Sequence, residues 1–239
     1  MGSFLNVVID RFATNRSIIK GRSYCESCKK TLEARDLIPL LSYILLRGKC
    51  RFCSKKIPIR IFLVELLTGV ISVGLLFLHG GTNLPFILTL YLVVLLFIAI
   101  FFIDLEYGII PDKLTILLTI LSVLFVFISS KNMLNNLIAA FSSLLFFIGL
   151  FTVTKGRGMG LGDVKLSFSL GMLLGYPLII YGLYLAFLTG AVVSIILVLW
   201  KKKSFRGGTV PFGPFLAAST LFTLLFGEKL ILPIARILF

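Results

Sequence analysis

The sequence predicts an all-α fold: a polytopic helical membrane protein carrying one small cytoplasmic loop domain with four cysteines. Three observations predict it. Of 239 residues, 58% are hydrophobic and only 14% charged, against roughly 45–50% and about 25% in soluble domains, and the mean hydropathy is +1.06. The apolar residues gather in runs, and about 20 such residues in a helix cross the hydrocarbon core of a bilayer. The 24 Lys and Arg segregate between alternate loops, as the positive-inside rule requires. A soluble globular domain and a disordered chain are both excluded.

Met1 to Phe12 is apolar up to Asp10 and Arg11 but too short to span. Residues 1–19 read as the remnant of a first membrane helix, and they lack the basic start and cleavage site of a signal peptide. Residues 20–60 hold the cysteines. Residues 61–239 read as a membrane core of about seven helices: Ile61–Leu78 with Glu65 embedded, Leu84–Ile103, Leu114–Ser130, Leu134–Thr154, a short helix from Val164, Leu178–Trp200 and Val210–Phe226. Gly175-Tyr176-Pro177 divides the uncharged run between Leu166 and Trp200, because proline cannot continue a hydrogen-bonded helix and glycine permits the turn. Pro211 and Pro214 make the start of the last span irregular, and Ile231–Phe239 reads as a terminal helix or interfacial tail.

Orientation follows from the cations. With residues 10–60 cytoplasmic, alternation puts 13 Lys and Arg of that segment on the same side as Lys113, Lys155, Arg157, Lys165, Lys201, Lys202, Lys203 and Arg206. The other side holds Lys131, Lys229 and Arg236, a split of 21 to 3. This asymmetry accounts for the net charge of +14, so the partner is the lipid bilayer and no nucleic acid is expected.

The cysteines are Cys25, Cys28, Cys50 and Cys53, spaced C-x2-C-x21-C-x2-C. Two such knuckles can present four thiolates to a tetrahedral zinc ion. A pair of disulfides is the alternative, disfavoured in the reducing cytoplasm. With all four positions filled by protein, the zinc would be structural and would supply the folding free energy of a loop without a core. The basic knuckle tips, Lys29-Lys30 and Gly48-Lys49 with Arg51, suit anionic headgroups.

Asp104 closes an apolar helix, where an acid opposes the macrodipole. Asp163 opens the short helix behind the glycine-rich Gly156-Arg157-Gly158-Met159-Gly160-Leu161-Gly162; alone it could be an ordinary N-cap. Two spans lie between them, out and back, so both carboxylates return to the cytoplasmic face. The lone histidine, His79, lies on the opposite side, which excludes a Ser-His-Asp triad, a Cys-His dyad and an H-E-x-x-H zinc site. Two carboxylates held close share one proton. The ionised member can activate water against a peptide carbonyl while the protonated member polarises that carbonyl and protonates the leaving amine.

With these residues in view, the chain resembles the type IV prepilin peptidase family, a group of GxGD membrane aspartic proteases, over nearly its whole length. The resemblance is carried by Gly2-Ser3-Phe4-Leu5-Asn6-Val7-Val8-Ile9 with Arg11, Ile38-Pro39-Leu40-Leu41-Ser42-Tyr43, Gly48-Lys49-Cys50 and Glu65-Leu66-Leu67-Thr68-Gly69. Further along it is carried by Asp104 with Ile110-Pro111-Asp112, Gly160-Leu161-Gly162-Asp163-Val164-Lys165-Leu166 and Pro211-Phe212-Gly213-Pro214-Phe215. It implies an eight-span enzyme of the bacterial cytoplasmic membrane with its active site facing the cytoplasm. Such an enzyme cuts the basic leader from prepilin or pseudopilin precursors after a glycine, and commonly methylates the new N-terminus with S-adenosylmethionine. Asp104 and Asp163 would be the catalytic pair. Glu65, Gly48, Gly160, Gly162 and Lys165 would be candidates for substrate or methyl-donor contact, with snorkelling to the interface open for Glu65.

The family carries a membrane helix ahead of its Gly-Ser-Phe motif, and this chain starts inside that motif. It also has Arg60-Ile61-Phe62 where the family often has Arg-Tyr-Pro. No Rossmann glycine signature marks a methyl-donor site. A transporter with a zinc-stabilised domain is the competing class, but such proteins show internal repeats and place ionisable groups near the bilayer midplane. Here no repeat is evident and the acids sit at helix ends. A peptidase-dead scaffold would not be expected to keep both aspartates.

Overall fold

The computed structural model of the chain describes residues 1–13, 23–25, 27–79, 81, 83–200 and 210–238. Glu26 and the basic cluster Lys201, Lys202, Lys203 and Arg206 therefore lie outside the described residues. The chain divides into two units, Met1–Asn83 and Leu84–Phe239. The described residues are helical, with two isolated antiparallel bridges and no extended strand.

The first unit holds α1 (Gly2–Ala13), a 3-10 turn at Ala34–Leu37, α2 (Leu41–Leu45) and α3 (Ile59–His79). Helix α1 packs on α3. At Gly2 the two backbones approach so closely that a Cβ would stand 2.4 Å from Thr68 Oγ1 and 2.8 Å from the Glu65 Cα. Asn6 Nδ2 donates to the Ile61 carbonyl at 3.1 Å, and Arg60 pairs with Asp10. The Gly-Ser-Phe segment is thus a docked helix.

The second unit holds α4 (Leu84–Tyr107), α5 (Asp112–Ile128), α6 (Met133–Val153), α7 (Leu161–Leu174), α8 (Leu178–Leu199) and α9 (Gly213–Leu238). Among the described residues α3, α4, α6 and α8 are each long and apolar enough to cross a membrane alone. Helix α7 is different: its 14 residues span only about 21 Å at 1.5 Å per residue. Ten of them are buried, and it packs on α5, α6, α8 and α9. It is the centre of the bundle. Helix α9 runs unbroken to Leu238, so the terminal helix or interfacial tail expected from Ile231 onward is, as far as Leu238, the last part of one longer helix.

Helices in lipid gain nothing from hydrophobic segregation between them, so close packing and interhelical hydrogen bonds must hold them together. The α6–α7 contact shows both. A Cβ on Gly171 would lie 2.4 Å from the Ala139 carbonyl oxygen and 2.5 Å from the Ala140 Cα. Beside this small-residue seam, Ser143 Oγ donates to the Ser167 carbonyl at 2.9 Å and Asn136 Nδ2 to the Met172 carbonyl at 2.7 Å. Thr119 and Ser169 hydroxyls meet at 2.7 Å between α5 and α7. Gly175 ends α7 with a left-handed φ of 67°, its N–H donating to the Gly171 carbonyl, and Pro177 precedes α8.

Because the atoms facing Gly171 are backbone, they cannot move aside. Gly171→Val is expected to cost about 1–3 kcal/mol or more through overpacking, read as a lowered thermal midpoint of the detergent-solubilised protein. Gly149→Val, where a Cβ meets nothing within 4 Å, should leave the midpoint unchanged.

Candidate active site

Asp104 lies in the last turn of α4, which ends when Gly108, at φ 66°, caps the Asp104 carbonyl with its N–H at 2.9 Å. Although at a helix end, Asp104 is only 5% exposed. Its cover comes from the Pro211-Phe212-Gly213-Pro214 segment. A Cβ on Gly213 would stand 2.6 Å from Asp104 Oδ2 and 3.0 Å from its Cγ, and the Gly213 backbone N–H donates to the carboxylate. Phe212 fixes this approach. Its ring packs 4.9 Å from that of Phe187 and 6.5 Å from that of Phe147, tying the start of α9 to α8 and α6.

Asp163 is the third residue of α7 and 6% exposed. Gly160 is the N-cap, and its N–H donates to Asp163 Oδ2 at 3.3 Å. Asp163 therefore reaches back to the cap in the manner of a capping-box acid rather than capping the helix itself. This employs one oxygen only. Asp163 Oδ1 and Asp104 Oδ2 are both buried without a hydrogen-bond partner.

Helices α5 and α6 run out and back between the two acids, and contacts at the near end show that both lie at one end of the bundle. A Cβ on Gly162 would touch Ile110 Cβ at 2.9 Å, setting the glycine-rich turn against the Ile110-Pro111-Asp112 turn. Lys165 Nζ meets Asp112 Oδ1 at 2.7 Å across the same two turns, with both side chains mostly exposed. The Asp104 charge acts on Asp163. Two acids with one free oxygen each, in a water-poor interior, can bind a proton, a water or a polarised carbonyl between them.

Gly160, Gly162 and Lys165 all belong to this cluster. Gly213 was not singled out as a site residue from the sequence, although the Pro-Phe-Gly-Pro element that contains it is plain there. A glycine between prolines, just before an apolar helix, was the available signal.

Glu65 and Gly48 belong to the first unit. Glu65, 7% exposed in α3, accepts the Leu40 N–H on Oε2 at 2.8 Å. Gly48, at φ 65°, lies under the Tyr43 ring, whose hydroxyl would be 3.0 Å from a Cβ there.

The cysteines form two matching turns. Cys25 N donates to the Lys30 carbonyl at 3.0 Å and Lys29 N to the Cys25 carbonyl at 2.8 Å; Cys50 N donates to Lys55 at 2.8 Å and Ser54 N to Cys50 at 2.9 Å. Lys29 and Ser54 share left-handed φ values of 58° and 57°. Bridges Tyr24–Thr31 and Lys49–Lys56 close the two turns. The four sulfurs lie within 4.8 Å of one another, Cys25 and Cys53 at 3.8 Å. A tetrahedron with metal–sulfur bonds of about 2.3 Å has sulfurs about 3.8 Å apart, so the cluster suits zinc. The Cys28 backbone amide draws the Cys25 thiol down to about 6. At Cys53 the Lys55 amide acts the same way, but desolvation and the other three sulfurs outweigh it and push the thiol up to about 11.

Fold and site together define a multi-pass helical membrane protein with a carboxylate pair at one end of its bundle and a metal-binding cysteine module. Comparison with known families finds the Bacterial Peptidase A24 N-terminal domain over residues 1–79 and the Type IV leader peptidase family over residues 90–195. Several proteins named prepilin leader peptidase/N-methyltransferase are similar to the chain. That of Legionella pneumophila is 34% identical over 88% of this chain and 74% of its own length. The Aeromonas hydrophila protein is 34% identical over 96% and 88%, and that of Bacillus subtilis (strain 168) 29% identical over 97% and 92%. No solved structure matches. The chain belongs to the type IV leader peptidase family.

Metal ligation needs thiolates, so protons compete with the metal for all four sulfurs. Zinc retention should fall as pH is lowered, read by release to a chromogenic chelator. Zinc uptake by stripped protein at pH 7.5 should release protons, Cys53 being the thiol that holds its proton most tightly.

Proposed function

We propose that this peptidase cuts the short basic leader from type IV prepilin or pseudopilin precursors at the cytoplasmic face of the bacterial inner membrane, with Asp104 and Asp163 as its acid–base pair. It then methylates the exposed N-terminus with S-adenosylmethionine. The observation that supports the pair is the two buried, unpartnered oxygens, Asp104 Oδ2 and Asp163 Oδ1. The other Asp163 oxygen is tied to the Gly160 amide and the Asp104 carboxylate to the Gly213 amide, so neither acid needs to reorganise when a substrate arrives.

The pair shares one proton. The ionised member takes a proton from water as the water oxygen bonds to the scissile carbonyl carbon. The protonated member hydrogen-bonds the carbonyl oxygen as it gains charge. The carbon–nitrogen bond then breaks and the proton passes to the leaving amine. Gly160, lacking a side chain, leaves room for an extended peptide beside Asp163, while Gly162 lets Ile110 pack against the same turn. Lys165, held by Asp112, stays at the rim. Glu65 and Gly48 are contacts for the precursor or the methyl donor.

Zinc would be held by Cys25, Cys28, Cys50 and Cys53 and, with four protein ligands, would stabilise the loop domain and take no part in hydrolysis. S-adenosylmethionine supplies a methyl group when bound. Among the described residues no glycine-rich strand–turn–helix cradle is present for it, so methylation is carried over from the relatives and no step of it is drawn on these residues.

Membrane-embedded protein incubated with a model prepilin, its products weighed by mass spectrometry, tests the reading. Asp104→Asn and Asp163→Asn are each expected to lower leader cleavage by about 10²–10⁴-fold, the scale of positioned acid–base catalysis, while the protein stays in the membrane. Full activity in either would refute the pair. Gly213→Ala forces a methyl group onto Asp104 and should cut kcat/KM by about 10²-fold, the cost of a misplacement near 1 Å, with the thermal midpoint kept. Metal analysis of purified protein is expected to find one zinc per chain.

A further inference from the structure

The loop domain carries an apolar segment that builds no core. Leu37 to Leu46 (Leu-Ile-Pro-Leu-Leu-Ser-Tyr-Ile-Leu-Leu) contains no charge. Helix α2 within it has no buried residue; Leu41, Ile44 and Leu45 are 50%, 60% and 72% exposed, and Leu37 and Ile38 are exposed beside them. A soluble loop would hide or lack such a face.

The contacts with α3 say how deep this segment lies. Tyr43 stacks on Phe62 at 5.2 Å between ring centres, and one turn further along α3 the Leu40 N–H donates to Glu65 Oε2 at 2.8 Å. The apolar run of α3 starts at Ile61, just after Arg60, so Glu65 lies about 6 Å below its start at 1.5 Å per residue. The Pro39-Leu40 turn therefore sits beside α3 below the level where the span begins. Non-helical backbone at such depth is tolerated only when its polar groups are satisfied by protein. Here they are: besides Leu40, Leu41 N donates to the Pro39 carbonyl, Ser42 N to Ile38, Ile44 N to Leu40 and Leu46 N to Ser42. The strand of charge resumes at once, with Arg47, Lys49, Arg51, Lys55 and Lys56 all exposed, as suits an anionic headgroup layer.

We infer that Leu37–Leu46 is a re-entrant wedge of the loop domain, pinned to α3 by Glu65, whose Leu41–Leu45 face is covered by the acyl chains of the cytoplasmic leaflet. The apolar face and the basic residues that follow it match the two layers of one partner, a bilayer containing anionic lipid.

The test uses the full chain in nanodiscs of anionic lipid with bromines at an upper acyl-chain position. Trp200 is the single tryptophan; in a Trp200→Phe background, Leu41→Trp and Leu45→Trp are made separately, with Lys55→Trp as the charged-side control. Each must elute as a single species, and two sites on one face keep the test valid if one variant fails to. Brominated lipid should quench the Leu41→Trp or Leu45→Trp fluorophore at least three-fold more than the control. Adding Glu65→Ala should reduce that quenching at least two-fold. Quenching no greater than the control overturns the inference, whether iodide reaches the fluorophore, which marks a watery face, or does not, which marks a face covered by protein. Quenching that ignores Glu65→Ala overturns the pin.

Discussion

A carboxyl group at the end of an apolar helix is held only if backbone comes to it, because few other polar groups are near and burial without partners is costly. The site depends on meeting that demand for two acids at once and meeting it halfway. Gly213 brings a peptide N–H to Asp104 by having no side chain, and Gly160 brings one to Asp163 from the same helical turn. Each acid is steadied and each keeps one oxygen unspent. The aromatic cluster of Phe147, Phe187 and Phe212 sets the depth of the Gly213 approach.

Holding α7 in the middle of the bundle is the second half of the constraint. A helix of 14 residues cannot be secured by spanning the bilayer. It is secured by what it lacks and what it shares: Gly171 lets α6 touch its backbone, and serine and asparagine side chains on α6 donate to backbone carbonyls of α7 across the seam. These bonds are modest singly, but the position of Asp163 at the head of α7 follows from their sum.

Much of this was legible. Long apolar runs mark α3, α4, α6 and α8 because length and apolarity are the physical requirements for crossing, and Gly175-Tyr176-Pro177 marks the break before α8 because backbone chemistry allows little else. The metal module was legible because two matching Cys-x-x-Cys turns need little tertiary context. Three things were not. That α7 is central, and not one more span, depends on which faces of its neighbours are small, which periodicity does not encode. That α9 continues past Phe226 was hidden because Glu228, Lys229 and Pro233 read as a stop. That Gly213 covers Asp104 was hidden because a contact across 109 positions leaves no local trace.

The cysteine module and the apolar wedge are two sides of one economy of residues. A loop of some forty positions has few large apolar side chains, and a conventional core would consume them. Here Leu41, Ile44 and Leu45 are exposed, Asp36 is bound to Arg51 of the second knuckle, and the four sulfurs gather within 4.8 Å of one another. A metal ion at those sulfurs would replace the missing core and so leave the apolar residues to the lipid. A loop built in the ordinary way would have to withdraw that face to fold.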